Sequence, residues 1–333
     1  MYDLRRLRVL RELKHRGTLG AVATALAYSP SAISQQLAQL EAEVGVPLLE
    51  PDGRRVRLTP QALILVEHTE AVLAELDRAE SAVAASLDDV VGTVRVAAFQ
   101  TAAHGLLPAA VRCLASRHPS LRVHLVHLEP EVALPALAAR DLDLVVAEEY
   151  AGFPHRVIPG LHREQLVLDP MRLALPGGAS GGACGGASGG ALRADAPVGA
   201  ATASGTASGD VDLAAVPWVL EPSGTYARRW AESRCRLAGF EPDVRYESTD
   251  VLLHVHLVRQ GLAAGILPDL VWAGATPDVR LLDAPGGATH RRLVTVVREG
   301  AETNPALVAL RTALREGVDA LGVPGVAGSA AEA

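Results

Sequence analysis

The feature that most restricts the fold of this chain is the stretch SPSAISQQLAQLEAEVG, residues 29–45. Ile33, Leu37, Leu40 and Val44 recur at spacings of 4, 3 and 4, the stripe by which an amphipathic helix packs on a core. Ser29 is placed to cap that helix and Pro30 to take its first position, where a missing N–H costs nothing; Gly45 is placed to end it. The opposite face carries Ser31, Ser34, Gln35 and Gln39. These side chains are short or amide-bearing and uncharged, whereas a solvated face more often carries Glu, Lys and Arg. They suit the reading of hydrogen-bond edges.

Two further helices are expected before it, over roughly 2–15 and 18–27, separated by Gly17 and followed by the YSPS turn. After it, VPLLEPDGRRVRLTP sets two short apolar runs about Pro51-Asp52-Gly53 and predicts a β-hairpin with Arg54, Arg55 and Arg57 near its tip. The order is helix, helix, tight turn, helix, wing. From Thr59 to about Leu87 there is no glycine, and Leu58, Ala62, Leu65, Thr69, Val72, Leu76, Ala79 and Val83 recur at alternating spacings of 4 and 3. A sustained seven-residue repeat predicts a coiled-coil seam and hence a dimer. The alternative is a linker helix packed on its own domain.

From Gly92 the texture changes. TVRVAAF, LRVHLVHL and LDLVVAEE are β-rich runs separated by the helical patterns LLPAAVRCLASRHP and EVALPALAARD, the alternation of a parallel α/β sheet. Residues 177–210 are dominated by Gly, Ala and Ser and have too little apolar surface to offset their ordering entropy, so a flexible loop is expected. A β/α pattern then resumes, and the tail beyond 320 is small-residue sequence expected to fray. The interruption suggests two lobes, with ligand bound in the cleft at the carboxyl ends of strands. Three polar stretches stand where a strand gives way to a helix: Gln100-Thr101, Ser223-Gly224-Thr225 and Thr249-Asp250. Free N–H groups at helix starts favour an anionic ligand, although the same residues serve as ordinary caps. Glu129, at the end of LRVHLVHLE, instead favours a ligand with a donor or cationic group.

With 333 residues the chain has room for two or three domains. Its net charge is -7, yet residues 1–60 hold nine Lys and Arg against six Asp and Glu, or +3, which leaves -10 for the rest. A basic head on an acidic body fits a nucleic-acid partner. Cys113, Cys184 and Cys235 are odd in number and scattered, as in a protein of a reducing compartment. The arginine-dotted start lacks a secretory apolar run, and no later stretch approaches the roughly 18 apolar residues of a membrane span. A cytoplasmic protein without a membrane partner is expected. His254 and His256, two apart on a helix, make a poor metal pair. No phosphate loop or nucleophile elbow occurs in its required context. The expectation is a chain with no metal, no cofactor and no enzymatic activity.

The segment LRRLRVLRELKHRGTLGAVATALAYSPSAISQQLAQLEAEVGVPLLEPDGRRVRLTP resembles the winged helix-turn-helix head of the LysR-type transcriptional regulators. GLLPAAVRCLASRHPSLRVHLV, ALAARDLDLVVAEE and QGLAAGILPDL resemble that family's effector-binding domain, so the likeness spans about residues 2–300. Three departures stand out: Pro60-Gln61-Ala62 in place of a Pro-Ala-Gly-type step, Glu50-Pro51 in place of an aromatic and an arginine before the wing, and the long repetitive 177–210. The resemblance implies an α plus α/β fold. Its parts are a DNA-binding head (1–58), a coiled-coil linker helix (59–90), a two-lobed effector-binding domain like the periplasmic binding proteins (91–320) and a tail (321–333). It implies a dimer or tetramer on an interrupted palindrome in double-stranded promoter DNA, with a small-molecule effector that shifts the lobes and RNA polymerase as a further partner. In that reading Ser29, Pro30, Ser31, Ser34, Gln35, Arg54 and Arg55 face DNA. Gln100, Thr101, Glu129, Ser223, Thr225, Thr249 and Asp250 face the effector. A redox sensor pairing Cys184 with Cys235 is the rival within the fold, and a solute-binding transport protein the rival outside it.

Overall fold

A computed structural model of the chain describes residues 2–53, 55–153, 158–176 and 211–321. Arg54, the stretch 177–210 with Cys184, and the tail beyond Leu321 lie outside those residues. The head is built from α1 (Leu4–Arg16), α2 (Leu19–Leu26), α3 (Pro30–Val44) and the wing strands β1 (Leu49–Asp52) and β2 (Arg55–Leu58). Asp3, Thr18 and Ser29 cap the three helices by accepting from the N–H groups of Arg5, Ala21 and Ala32, donors that a helix start otherwise leaves free. Ile33, Leu37 and Leu40 share one buried core with Leu10, Leu13, Val22 and Leu48. Val44 is only partly buried.

The long helix α4 (Pro60–Ala85) divides the expected seam. Ala62 and Val66 belong to the core of the head, and Thr69, Leu73, Asp77 and Ser81 are buried within the chain's own fold. Val72, Leu76 and Val83 stay exposed, at 46%, 40% and 67%. The amino-terminal part of the Leu58–Val83 repeat therefore packs on its own domain, and only the carboxyl-terminal part offers an apolar stripe to a partner. A heptad repeat specifies an apolar face, not whose surface covers it.

The body begins with β3 (Gly92–Ala98), α5 (Gln100–Gly105), α6 (Leu107–Arg117), β4 (Leu121–His127), α7 (Pro130–Ala138), β5 (Leu144–Tyr150) and β6 (Leu161–Leu175). Beyond the undescribed stretch come β7 (Pro217–Leu220), α8 (Tyr226–Leu237), β8 (Asp243–Glu247), α9 (Val251–Arg259) and β9 (Gly265–Pro268). The short strand β10 (Arg280–Asp283), β11 (Thr289–Arg298) and α10 (Pro305–Ala320) complete it. Among the described residues the main sheet runs β10-β6-β11-β5-β3-β4, with β9 also on β6. Strand β3 pairs in parallel with β4 and β5, and β7 with β8, as the alternation predicts. Strand β11 is antiparallel to β5 and β6, so the sheet is mixed. The long β6 explains this: it pairs with β11 from Leu161 to Met171, while its last residues also carry β9 and β10 into the second lobe. Strands β6 and β11 are thus the crossovers between lobes. Among the described residues no helix is long and apolar enough to cross a membrane.

The body holds α4 through buried charge. Arg140 donates to both carboxylate oxygens of Asp77 at 2.9 and 2.8 Å, and Arg298 to Oδ2 of the same residue at 3.3 Å. Beside this pairing, Gly300 (φ 90°) presses so close to the helix that a Cβ there would meet the Ala74 carbonyl oxygen at 2.1 Å. The left-handed backbone and the contact both require glycine. Gly300→Ala is expected to destabilise the chain by about 2 kcal/mol or more, combining backbone strain with forced separation of α4 from the body. A calorimetric melt checks this, and an unchanged melting temperature would mean that α4 does not pack here.

Candidate functional site: the outer face of α3 and the seam between the lobes

The outer face of α3 is exposed at Ser31, Ser34, Gln35 and Gln39. It is held outward by the buried stripe on the other side and by Glu41, whose Oε1 accepts from the Leu48 and Leu49 N–H groups at 2.8 and 3.0 Å and fixes the wing to the helix end. Several hydroxyls already have partners. Ser29 Oγ caps the helix and lies 2.9 Å from Ser31 Oγ, and Ser34 Oγ donates to the Pro30 carbonyl at 3.1 Å. Gln35, exposed at the leading end, has no such partner among the described residues. On the wing, Arg55 pairs with Asp52 across the hairpin through its backbone, and Arg57 forms an ion pair with Glu50 at 2.7 Å.

In the body, five of the seven expected residues gather where the two lobes meet. Gln100, at the start of α5, donates from Nε2 to Asp250 Oδ1 at 2.7 Å and accepts from the Val251 N–H at 2.6 Å. It thereby bridges the first lobe to the start of α9. Asp250 also caps α9, accepting from Leu252 and Leu253, and Thr225 caps α8, accepting from Arg228. Thr101 is not a cap: the six-residue α5 has no side-chain cap, and the Thr101 hydroxyl, 3% exposed, accepts from Arg291 Nη2 at 2.6 Å. Glu129 precedes α7, and its neighbour Glu131 accepts from the Tyr226 N–H of the second lobe at 3.2 Å. Ser223 and Thr249 lie beside these residues in the chain and are exposed.

The strongest element of this seam is absent from the sequence reading. Arg291 on β11 is 3% exposed, donates from Nε to Asp169 Oδ2 at 2.9 Å, pairs with Glu148, and lies 5.0 Å from the Phe99 ring centroid. Burial opposes its charge, but Glu148 and Asp169 outweigh that and raise its pKa. Tyr150 donates to Glu148 at 3.0 Å and packs its ring 5.0 Å from that of Trp230. Glu221, just after β7, completes the set. Burial, then the charges of Glu148 and Glu129, push its carboxyl up to about 8; burial, Glu148 and Glu131 push Glu129 up to about 7. Arg291 is committed to two carboxylates, so the seam has an excess of acidic groups. Glu221 directly follows a strand, the same signal that marks Gln100, whereas Glu148 lies within β5. For Arg291 no local signal exists.

The model of the bacterial regulatory helix-turn-helix protein, lysR family, matches residues 4–63, and that of the LysR substrate binding domain matches residues 88–184 and 193–319. The chain is 26% identical over 280 residues to the transcriptional dual regulator GltC of Bacillus subtilis (strain 168), covering 83% of each. It is 36% identical over 137 residues to a probable hydrogen peroxide-inducible genes activator of Mycobacterium xenopi, covering 41% of this chain and 72% of that one. Among solved structures, a full-length OxyR variant from Pseudomonas aeruginosa shares its fold, with a TM-score of 0.59 at 17% identity over 95% of this chain and 98% of that one.

The elevated Glu221 pKa has a consequence for stability. A carboxyl whose pKa is raised on folding contributes stability that is fully present below its unfolded pKa and is lost as pH rises through the folded value, here about 8. Glu221→Gln cannot ionise and escapes that loss. The variant and the parent chain are expected to melt at similar temperatures near about pH 5, and the variant at a higher temperature near about pH 9. An equal difference at both pH values would show that Glu221 ionises freely.

Proposed function

Because the chain belongs to the LysR family of bacterial helix-turn-helix regulators, we propose that α3 reads promoter DNA in the major groove and that the interlobe seam of the body binds the effector that governs the reading. The observation that carries this is the α3 face, an exposed set of uncharged hydrogen-bonding side chains held outward by the buried Ile33, Leu37 and Leu40. Helices of this kind place their amino-terminal residues on base edges. Gln35 is the base reader, since an amide pairs bidentately with adenine N6 and N7. Ser29, Pro30, Ser31 and Ser34 position the helix start, and Arg54 and Arg55 carry the wing to phosphates. The exposed Val72, Leu76 and Val83 of α4 meet the same stripe in a second copy, which pairs two heads on an interrupted palindrome. The division into head (1–58), linker (59–90) and sensor (91–320) follows those roles, and the protein acts in the cytoplasm, as a regulator and not as an enzyme.

The charges at the seam bear on which effector it suits. Free N–H groups at helix starts favour an anion, but Gln100 takes the Val251 N–H and Glu131 takes the Tyr226 N–H. With Glu129, Glu221 and Glu148 around them, we assign the seam to an effector presenting hydrogen-bond donors or a positive charge. A peroxide-sensing role, suggested by the description of the mycobacterial relative, requires a reactive thiolate. Burial pushes the Cys235 thiol up to about 12, which disfavours Cys235 as that thiolate; Cys184 lies outside the described residues.

Gln35→Ala is expected to weaken binding to the preferred DNA site by roughly 1–3 kcal/mol and to relax preference at one base pair, leaving non-specific binding nearly unchanged. Fluorescence anisotropy on the preferred site, its single-base variants and unrelated DNA tests this. Equal weakening on every sequence would move Gln35 to the phosphate contacts and leave α3 without its base reader.

A further inference from the structure

A cavity of about 400 Å³ opens beside the effector seam, sharing Glu131 and Tyr226 with its edge, where the head, the linker helix and the body meet. Helix α1 supplies Lys14 and His15, α4 supplies Glu70, and α7 supplies Leu134 and Pro135. Ile158, Pro159 and the Tyr226 side chain complete an apolar wall. That size falls within the range of small-molecule sites, which combine an apolar lining with a few placed polar groups.

The charges decide what the cavity suits. Glu70 is already committed: it accepts from Arg11 Nε and pairs with His15 Nε2, each at 2.9 Å. Burial opposes its ionisation, and His15 and Arg11 outweigh burial and hold it below the usual carboxylate range. Glu131 accepts the Tyr226 N–H. Lys14, the chain's only lysine, is exposed and has no ion pair or hydrogen bond among the described residues. Apolar surface on one side and an uncommitted ammonium at the rim match a molecule with the opposite arrangement.

We propose that the cavity bounded by Lys14 of the head, Leu134 and Pro135 of α7 and Tyr226 of the second lobe is a second ligand site, which takes a small apolar monocarboxylate. Its ring or branched chain lies on the proline, leucine and isoleucine wall, and its carboxylate meets the Lys14 ammonium. The position gives the occupant leverage. Helix α7 holds the head through the Ala138 carbonyl, which accepts from Arg11, and through Asp141 just beyond it, which receives Arg16 at 2.9 Å. A ligand between α1 and α7 therefore bears on the contacts that fix the head against the body. Lys14 and Pro135, the two residues that distinguish this site, take no part in the contacts of the seam or in the outer face of α3.

The test is calorimetric titration of the full chain with 2-naphthoate, a flat apolar carboxylate. Binding is expected to the parent chain, to weaken about tenfold or more in Lys14→Glu, where the charge-assisted contact becomes a repulsion, and to weaken likewise in Pro135→Glu, which sets a carboxylate on the apolar wall. Lys14→Arg keeps the charge and should retain binding, and melts of each variant confirm that it is folded. The proposal is overturned if the parent chain takes up no naphthoate at millimolar concentrations, or if either glutamate variant binds as the parent does. It is equally overturned if the affinity follows Thr101→Val, which would place the naphthoate in the interlobe seam.

Discussion

The arrangement of the whole chain depends on one buried carboxylate. Asp77 sits on α4 with its side chain 5% exposed and receives Arg140 from the end of α7 and Arg298 from the end of β11. A lone charge in that position would be strongly unfavourable, whereas removing one partner from a buried pair typically costs about 3–5 kcal/mol. The pairing therefore fixes α4 in one register against the body. It also holds Arg140 itself in a left-handed backbone conformation, φ 67°, which a residue with a side chain adopts only when its surroundings impose it. Because α4 also shares the core of the head through Ala62 and Val66, this contact, together with Arg11 on Ala138 and Arg16 on Asp141, sets where α3 stands relative to the lobes.

The same logic recurs in the body. Arg291 joins β11 to β5 through Glu148 and to β6 through Asp169, and reaches across to Thr101 at the start of α5. Strands β6 and β11 are the ones that cross between lobes, so one guanidinium ties the seam to the crossover. Around it no arginine or lysine is paired with Glu129 or Glu221 among the described residues, and burial and mutual repulsion lift both into the neutral range. In the proposed function, a donor-bearing effector held between the lobes would relieve that repulsion. Differential affinity is what allows a ligand to shift a conformational equilibrium. Helix α7 begins beside Glu129 and ends at the contacts with Asp77, Arg11 and Arg16, so one short element joins the seam to the contacts of the head.

The head could be read from the sequence nearly residue by residue, because its signals are local. Thr18 and Ser29 as caps, Gly17 and Gly45 as stops, and the stripe from Ile33 to Leu40 each act within a few residues. The strand-end positions of Gln100, Thr225 and Asp250 were readable for the same reason, since a strand followed by a helix marks itself. What escaped was long-range. Arg291 stands in RRLVTVVRE as an arginine like its exposed neighbour Arg292, and only the pairing of β11 with β5 and β6 buries it. Thr101 reads as a helix cap until its partner, 190 residues away, claims the hydroxyl. The split of the α4 repeat escaped because packing of that helix on Asp77's partners arises from the body, which no periodicity within α4 encodes.

Control of paired α3 helices on DNA by a donor-bearing effector in the acidic seam can be measured by footprinting the full chain on chromosomal fragments it selects, with panels of small amines and small carboxylates. Two protected half-sites are expected on one face of the duplex, separated by about one helical turn or a multiple of it, with a protection pattern that changes with an amine. Protection without sequence preference, or a pattern that responds to carboxylates while the Lys14 cavity is blocked by Pro135→Glu and never to amines, would contradict it.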